Sequence, residues 1–376
     1  MEAWSTHHLA QQAAKTLGSD AAASLQSYAQ VLISKGLAVV FTLGHLSRIT
    51  GVSYQVLRDT VDRKRDSANY RMYAINKRSG GLRFIHSVSR DLLIVQRFIN
   101  QHILQKCAPH PSSFAYHPSG GIKKCATMHC GARWLFHFDL KDFFYDITEI
   151  DVFHIFKAMG YRNLLAFELA RLCTTTCLPK GQERLLFHST NSKYNVYRDP
   201  NGIVGVLPQG APTSPMLSNL AAQKLDEELS SFALMHGFVY TRYADDITFS
   251  ASYIPKGLNI GNIQRQIIHI IRTTGFEENN QKIHIAGPGS KKVVLGLLVD
   301  GNEPRISREM YHRIERYLYA IEKYGLRNVA CHEGFISAYG FFNHLTGLIA
   351  FVKDVDQKRW EEFSSRISRI QTPWHL

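Results

Sequence analysis

Two adjacent aspartates, Asp245 and Asp246, lie between two strand-like segments in "GFVYTRYADDITFS" (237–250). Neighbouring carboxylates repel each other unless a positive charge compensates them. A third carboxylate, Asp139, lies near the end of the alternating apolar segment "RWLFHFDL" (133–140). If the two predicted strands are neighbours in a sheet, the three carboxylates converge at one end of it. The pattern therefore predicts a cluster of negative charge that requires cations.

Such a cluster is chemically suited to divalent cations, because Mg²⁺ prefers sites built from oxygen atoms and bound water. Two such ions ~3.5–4 Å apart can activate an attacking hydroxyl and stabilise a leaving phosphate oxygen. The pattern is therefore typical of phosphoryl transfer. Taken alone, an Asp-Asp pair in a hairpin is also an ordinary polar turn. The sequence of the neighbouring segments distinguishes a metal-binding cluster from an ordinary polar turn.

The segments around the aspartates predict a mixed architecture. The pattern over 70–100 indicates a strand, a turn at Gly80 and Gly81, a second strand and a helix. A helix-rich stretch over 150–177 and a helix after "LPQGAPTSP" (207–215) separate the first aspartate-bearing strand from the later hairpin. Because strands and helices alternate without βαβ regularity, we expect an α+β fold with an antiparallel sheet.

Helices are predicted at both ends of the chain. Residues 8–35 predict one helix, and residues 42–63 predict two helices that are separated at Gly51, with Ser53 as the second N-cap. This pair is compatible with a DNA-binding helix-turn-helix, but a small helical layer packed on the next domain is the preferred interpretation. Residues 303–376 predict two or three amphipathic helices.

The charge of the chain favours a polyanionic partner. It contains 44 Lys and Arg against 31 Asp and Glu, a formal net charge of +13. Ten of these cations and only two acids fall between Arg63 and Lys106, so a net +8 is concentrated in this stretch. A local basic surface of this kind suits nucleic acid or an anionic membrane.

Hydropathy and cysteine usage indicate the compartment. The longest apolar run, "GLAVVFTLG" (36–44), is far shorter than the ~20 residues that a membrane span needs. The N-terminus lacks the features of a secretion signal. Six cysteines in 376 residues do not form a disulfide framework, and their spacings differ from the C-x2-C pairs typical of zinc sites. We therefore expect a cytoplasmic protein with no membrane partner and no structural metal.

Three segments follow one another in a specific order through the middle of the chain. They are "FDLKDFF" (138–144), "LPQGAPTSPMLSNL" (207–220) and "YADD" (243–246). In this order they resemble the palm of a reverse transcriptase, and the similarity extends over about residues 70–300. Among these enzymes, the chain most resembles the bacterial retron type.

The resemblance implies an α+β, right-hand polymerase fold with fingers, an antiparallel-sheet palm and a helical thumb. The implied divisions are an N-terminal helical region (1–62), the fingers (63–132), the palm (133–300) with a fingers-like helical insertion at about 150–200, and a helical thumb or C-terminal RNA-binding region (301–376).

Carried over by motif, Asp139, Asp245 and Asp246 are the catalytic metal ligands, and the backbone carbonyl of Leu140 is a further ligand. The implied cofactor is a pair of Mg²⁺ ions, for which Mn²⁺ can substitute.

The resemblance also places several residues at the incoming nucleotide. They are Arg83, Phe144, Gln209, Gly210 and Lys282, with Lys77 and Arg78 as further candidates beside Arg83. Arg83 matches the position that clamps the triphosphate, since a guanidinium fork suits phosphate oxygens. Phe144 matches the aromatic gate that excludes a 2′-OH, and Lys282 matches a lysine that protonates the leaving pyrophosphate. Gln209 and Gly210 match residues that line the template base. Solvated basic side chains and ordinary core packing are the alternatives.

A further set matches positions that contact the primer and template. It consists of Tyr243, Leu295, Gly296, Arg305 and Arg308. Arg305, Arg308, Arg316 and Tyr317 are expected to share one face of a thumb helix. Two segments depart from the usual retron pattern: "CATMH" (125–129) replaces Asn-Ala-x-x-His, and "VLG" (294–296) replaces Val-Thr-Gly.

A retron enzyme binds a structured non-coding RNA encoded beside it and uses deoxynucleoside triphosphates to copy part of it. The implied product is a branched RNA-linked single-stranded DNA (msDNA), and the implied further partner is an effector protein in anti-phage defence. Because "CATMH" and "VLG" depart from the retron pattern, the alternative of another bacterial reverse transcriptase, of the defence-associated or intron-derived kinds, stays open. A nucleic-acid-binding scaffold with a vestigial site is disfavoured because Asp139, Asp245 and Asp246 are all present.

Overall fold

In the computed structural model, which describes residues 5–76, 81–181 and 203–370, helices and strands alternate irregularly along the chain. The helices of these ranges are α1 (Thr6–Leu17), α2 (Ser19–Ser34), α3 (Leu43–Thr50), α4 (Tyr54–Val61), α5 (Asp66–Asn69), α6 (Arg90–His102), α7 (Ile122–Thr127), α8 (Glu149–Met159), α9 (Asn163–Cys173), α10 (Ser214–Ala221), α11 (Gln223–His236), α12 (Ile260–Thr273), α13 (Arg308–Tyr324), α14 (Leu326–His332), α15 (Ala338–Lys353) and α16 (Gln357–Ser368). The strands are β1 (Tyr70–Asn76), β2 (Leu82–Val88), β3 (Trp134–Asp139), β4 (Val239–Tyr243), β5 (Asp246–Ala251), β6 (His284–Ala286), β7 (Val293–Val294) and β8 (Leu297–Leu298). This mixture confirms the α+β class.

The central feature is a four-stranded antiparallel sheet in the order β4-β5-β3-β6. The strands β4 and β5 form a hairpin, and β5 pairs with β3 so that Asp139 lies directly opposite Asp246. The condition for the convergence of the three carboxylates, that the two aspartate-bearing strands are neighbours, is therefore met. Two smaller sheets, β1-β2 and β7-β8, are hairpins.

The two faces of this sheet pack against different parts of the chain. Phe136 and Phe138 point to one face and join a core with Ile263 and Ile267 of α12. Leu135 points to the other face and joins a second core with the C-terminal helices. Burying each such side chain stabilises the fold by about 1.5–3 kcal/mol. Strand alternation therefore places Asp139, like Leu135, on the face that α12 does not cover.

The N-terminal helices form a layer on the rest of the protein. The single helix predicted over 8–35 is wrong, because Gly18 adopts a φ of +86° and separates α1 from α2. The predicted break at Gly51 is confirmed, with a φ of +70°. Helix α4 packs on α9, partly through an ion pair of 3.4 Å between Arg58 Nη1 and Glu168 Oε1, and α3 packs on α6. This packing supports the interpretation as a helical layer.

The C-terminal region contains four helices in the described range, α13 to α16, rather than the two or three predicted. Gly325, with a φ of +81°, separates α13 from α14, and Gly334, with a φ of +75°, follows α14. Glycine accommodates these backbone conformations without a Cβ clash. No helix in the described ranges is long and apolar enough to cross a membrane.

Candidate active site

Asp139 is the last residue of β3, and only 4% of its surface is exposed. Its carboxylate accepts hydrogen bonds from Lys282 Nζ at 2.7 and 2.9 Å and from Asn279 Nδ2 at 3.3 Å. The backbone N–H of Asn279 also donates to the carbonyl oxygen of Asp139 over 2.7 Å. The segment after α12 therefore supplies a cation and an amide to the first aspartate.

The other two aspartates occupy the tight turn between β4 and β5. Ala244 and Asp245 form this turn, and Ala244 adopts a left-handed φ of +59°. Leu140 N–H donates to the backbone carbonyl of Asp245 over 2.9 Å, which joins the turn to the end of β3. Asp246 Oδ1 lies 3.3 Å from His137 Nε2. The turn and the end of β3 therefore present all three aspartates in one region.

The electrostatics of this region favour a bound cation. Burial, and then the negative charges of Asp246 and Asp139, raise the pKa of Asp245 to about 6. Among the described residues, no group of three or more His, Cys, Asp or Glu side chains has the arrangement of a metal site. Instead, the Lys282 ammonium pairs with Asp139. The carboxylates nevertheless offer only oxygen donors and a surplus of negative charge, which fits a hard divalent cation.

A cleft of about 960 Å³ lies beside the aspartates and gathers most of the residues predicted at the nucleotide. Its lining includes Arg83 of β2, Phe144, Gln209 and Lys282, together with Asp139 and Asp245. The side chain of Asp146, half-buried near this cleft, has its pKa raised to about 7 by burial and by the charges of Asp142 and Glu277. Lys77 and Arg78 lie outside the described residues.

Gly210 contacts β2 rather than the open cleft. A Cβ atom at this position would lie 2.7 Å from the carbonyl oxygen of His86 on β2, and Gly210 has a φ of +114°. His86 N–H also donates to the carbonyl of Gln209 over 2.7 Å. Gly210 is therefore required for the close approach of this loop to β2, and a contact with nucleotide stays a prediction.

A family model described as "Reverse transcriptase (RNA-dependent DNA polymerase)" matches residues 75–299. The retron Mx65 reverse transcriptase of Myxococcus xanthus is 32% identical over 88% of this chain and 72% of its own length. The chain belongs to the retron reverse transcriptases. The retron Ec86 reverse transcriptase of Escherichia coli is 29% identical over 89% of this chain and 91% of its own length. Membership makes the protein an RNA-directed DNA polymerase with the right-hand fold, and such enzymes use divalent metal ions.

Among solved structures, telomerase from Candida albicans in complex with a telomeric RNA fragment aligns with 81% of this chain and 57% of that chain. The TM-score is 0.35 and the identity is 11%. This similarity is too low to support a conclusion about the retron enzyme.

Two residues of the cleft were missed by sequence reasoning. Tyr116 lines the cleft, and its ring centroid lies 6.4 Å from that of Phe144. Asn279 contacts Asp139 through both its backbone and its side chain. Asn279 lies only three residues before the predicted Lys282, whereas no sequence signal places Tyr116 beside Phe144.

The residues predicted to contact primer and template occupy the side of the palm that faces the C-terminal helices. Tyr243 is half-buried against their core. Leu295 and Gly296 form the turn between β7 and β8, with φ values of +50° and +85°. Arg305 forms an isolated bridge with Leu298, and Arg308 begins α13 with an exposed side chain. Their contacts with nucleic acid stay predictions.

Two of the residues expected to share one face of α13 do not belong to it. Arg305 precedes the helix, which begins at Arg308. Tyr317 is only 7% exposed and packs in the C-terminal core, so it does not share a face with Arg308. At ~100° per residue, Tyr317 is about 180° from Arg308, whereas Tyr319 is about 20° from it. Tyr319 is 59% exposed. The aromatic side chain on the basic face of α13 is therefore Tyr319.

The atypical "CATMH" segment contacts the hairpin of β4 and β5 through buried side chains. His129 is fully buried and lies 2.7 Å from Thr241 Oγ1 of β4 and 2.7 Å from Ser250 Oγ of β5. Burial lowers the pKa of His129 to about 3, so its ring is neutral. Cys125 Sγ lies 3.3 Å from the same Thr241 hydroxyl. The departure from the usual motif therefore falls at a packing position behind the hairpin.

Proposed function

We propose that this retron reverse transcriptase copies part of a structured non-coding RNA encoded beside it into DNA that stays attached to the RNA, giving a branched msDNA. The observation that supports the chemistry is the pairing of Asp139 with Asp246 at the edge of a cleft that also contains Arg83 and Phe144. This arrangement brings a carboxylate cluster close to a guanidinium group, which is suited to binding phosphate. The retron relatives support the choice of RNA-linked product.

Asp139, Asp245 and Asp246 would hold two Mg²⁺ ions, with the carbonyl oxygen of Leu140 as a further ligand and Mn²⁺ as a substitute. When bound, these ions supply Lewis-acid stabilisation to the phosphate oxygens. The donor set and the raised pKa of Asp245 support this assignment. The carboxylates would position the reacting groups, and the tight turn would limit their movement.

The other cleft residues would bind and select the deoxynucleoside triphosphate. Arg83 would clamp the triphosphate through its guanidinium fork. Phe144 would pack against the sugar and exclude a 2′-OH, while Gln209 would contact the template base or the incoming nucleotide. Lys282 would have to leave Asp139 before its ammonium could protonate the departing pyrophosphate. The salt bridge of 2.7 Å would then be a resting arrangement.

The basic face of α13 would bind the nucleic-acid backbone. Arg308, His312, Arg316, Tyr319 and Lys323 are all exposed. At ~100° per residue they fall within an arc of about 80° on the helix. Cations on one face suit phosphates, and an exposed tyrosine can stack on a base or sugar. A thumb that grips the primer–template duplex fits this pattern.

The decisive experiment is to purify the protein with its co-bound RNA and to add Mg²⁺ and labelled deoxynucleotides. We expect labelled DNA attached to RNA from the native protein and none from Asp245→Asn. Asp20→Asn, an exposed carboxylate on α2, is the matched control and should keep full activity. If DNA forms only from added primers, the proposal of an RNA-linked product is refuted. Undiminished synthesis by Asp245→Asn would refute the proposed site.

An effector protein encoded nearby and a role in anti-phage defence complete the proposal. The retron membership supports them. Plaque counts on cells that carry the whole locus would test the role, since Asp245→Asn should abolish protection while Asp20→Asn retains it. Equal protection by both variants would contradict a defence role that depends on DNA synthesis.

A further inference from the structure

The loop before α7 has an unusual and closely supported backbone. Tyr116 adopts a φ of +68°, which is a rare conformation for a bulky residue. His117 Nε2 lies 2.7 Å from the carbonyl oxygen of Ser113. A Cβ at Gly120 would lie 2.1 Å from the carbonyl oxygen of Phe114, so the loop closes on itself. Strained residues of this kind persist only where the surrounding structure imposes them, and they concentrate at functional sites.

Buried polar side chains of the palm impose this loop conformation. Asn219 of α10 is fully buried, and its Nδ2 donates to the carbonyl oxygen of Ala115 over 2.7 Å. Its Oδ1 accepts a hydrogen bond of 3.0 Å from Ser113 Oγ. The backbone N–H of Phe114 donates to the carbonyl of Arg242 on β4 over 2.8 Å. The loop is therefore fixed to the helix after "LPQGAPTSP" and to the strand that leads to Asp245.

This support places the Tyr116 ring in the cleft. Its ring is tilted by 51° to that of Phe144, with the centroids 6.4 Å apart. Tyr116 remains 37% exposed and lines the same cleft as Arg83 and Asp245. Burial, and then the charge of Asp245, raise the pKa of the Tyr116 hydroxyl to about 12, so it stays a neutral hydrogen-bond donor.

We infer that Tyr116 is a second specificity-determining residue of the polymerase, which forms with Phe144 an aromatic pair against the sugar of the incoming deoxynucleotide. The inference rests on the proposed nucleotide site. Phe144 alone would leave the pocket open on the side of the 113–121 loop. The rigid loop gives the second ring a fixed position, which a selective sugar pocket requires.

The test compares steady-state incorporation of dATP and ATP by native protein, Tyr116→Gly, Tyr116→Phe and Phe144→Val. Glycine removes the ring and accepts the left-handed backbone, so the loop should keep its shape. We expect Tyr116→Gly to raise the KM for dATP about 10-fold and to weaken rejection of ATP by a similar factor, with kcat changed less. Tyr116→Phe should keep the native KM for dATP and the native rejection of ATP. Tyr253→Ala, an exposed tyrosine at the far end of the hairpin, is the matched control.

The outcomes separate the inference from the proposed site. Unchanged KM and sugar selection in Tyr116→Gly, with lost selection in Phe144→Val, would overturn the role of Tyr116 and leave the nucleotide site standing. Unchanged sugar selection in both Tyr116→Gly and Phe144→Val would overturn the role of Tyr116 and also the proposed nucleotide site. Thermal unfolding and RNA retention report whether Tyr116→Gly folds. If Tyr116→Gly does not fold, Tyr116→Trp tests the contact instead. The larger ring should raise the KM for dATP, and an unchanged KM would refute the contact.

Discussion

Arg242 Nη1 donates a hydrogen bond of 3.0 Å to the carbonyl oxygen of Ala244, the strained residue that immediately precedes Asp245. The Arg242 side chain is fully buried, and its Nε and Nη2 donate to Asp226 of α11 over 2.8 and 2.6 Å. A left-handed φ at a residue with a Cβ costs about 1–3 kcal/mol. The guanidinium therefore offsets strain in the turn that presents the second aspartate of the site.

Replacing Arg242 should damage both folding and catalysis. Arg242→Met leaves Asp226 buried without its partner, which should lower the free energy of unfolding by about 3–5 kcal/mol. The Ala244 carbonyl also loses its donor, so we expect nucleotide incorporation to fall about 10²-fold as Asp245 moves. Urea unfolding and primer extension measure the two effects.

A double variant separates these two roles of Arg242. Arg242→Met with Asp226→Asn removes the uncompensated charge and keeps an acceptor for the Tyr240 hydroxyl, which lies 2.7 Å from Asp226 Oδ1. Stability should largely return while activity stays low, because Ala244 still lacks its hydrogen bond. Full recovery of both would show that Arg242 acts only through stability.

The Lys282 salt bridge should compete with metal binding. Because its ammonium contacts both carboxylate oxygens of Asp139, Lys282→Met should raise the affinity of the nucleotide-free protein for Mn²⁺. Because Lys282 is half-exposed although Asp139 is buried, we expect a change of up to about fivefold. Electron paramagnetic resonance of free Mn²⁺ would measure it. Lys141→Met is the control, since Lys141 pairs with Glu277 at 3.1 Å. Equal affinities for native protein and Lys282→Met would argue against the competition.

The parts of the site that follow strand alternation could be predicted from sequence. The apolar pattern of "RWLFHFDL" places Asp139 on the face opposite Phe136 and Phe138, and the structure confirms this strand. The sequence left the pairing of β3 with β5 as a condition. Once these strands pair, their register follows, because a one-residue change of register would expose the buried face. Local pattern and sheet geometry agree here.

Features that depend on tertiary contacts could not be predicted. Tyr317 was assigned to the basic face, but its direction depends on which side of α13 meets the C-terminal core. The contact between Tyr116 and Phe144 joins segments that are distant in sequence through buried Asn219. The pairing of Lys282 with Asp139 requires the return of the chain after α12. Propensity and periodicity contain no information about such contacts.

Asp146 should make stability depend on pH. Burial, Asp142 and Glu277 raise its pKa from 3.8 to about 7, so the folded state binds this proton more tightly than the unfolded state. The resulting stability is fully present below pH 3.8 and is lost as the pH rises towards 7. Asp146→Asn should have the same free energy of unfolding as the native protein below pH 3.8. At pH 8 it should be more stable by on the order of 2 kcal/mol, after discounting for partial exposure.

Urea unfolding of native protein and Asp146→Asn across this pH range would measure the difference. Asp142→Asn removes one negative neighbour, so it should move the loss of stability to lower pH. Asp20→Asn, which is exposed, should show no pH-dependent difference from native protein. Parallel stability curves for native protein and Asp146→Asn would contradict the raised pKa.

The basic face of α13 should contribute to duplex binding in a salt-dependent way. Each phosphate contact contributes about 0.7–0.9 to the slope of log K against log salt concentration. Arg308→Gln and Arg316→Gln should therefore each reduce the slope for a short RNA–DNA hybrid by nearly one. Tyr319→Ala should weaken binding with the slope unchanged, because stacking releases no counterions.

Fluorescence anisotropy over a salt series would measure these slopes. Arg265→Gln is the matched control, because Arg265 is exposed on α12, and α12 packs on the sheet face opposite Asp139. Its slope should equal that of the native protein. Equal slopes for Arg308→Gln, Arg316→Gln and the native protein would place the duplex elsewhere. A reduced slope for Tyr319→Ala would mean that this substitution displaces neighbouring cations rather than removing a stacking contact.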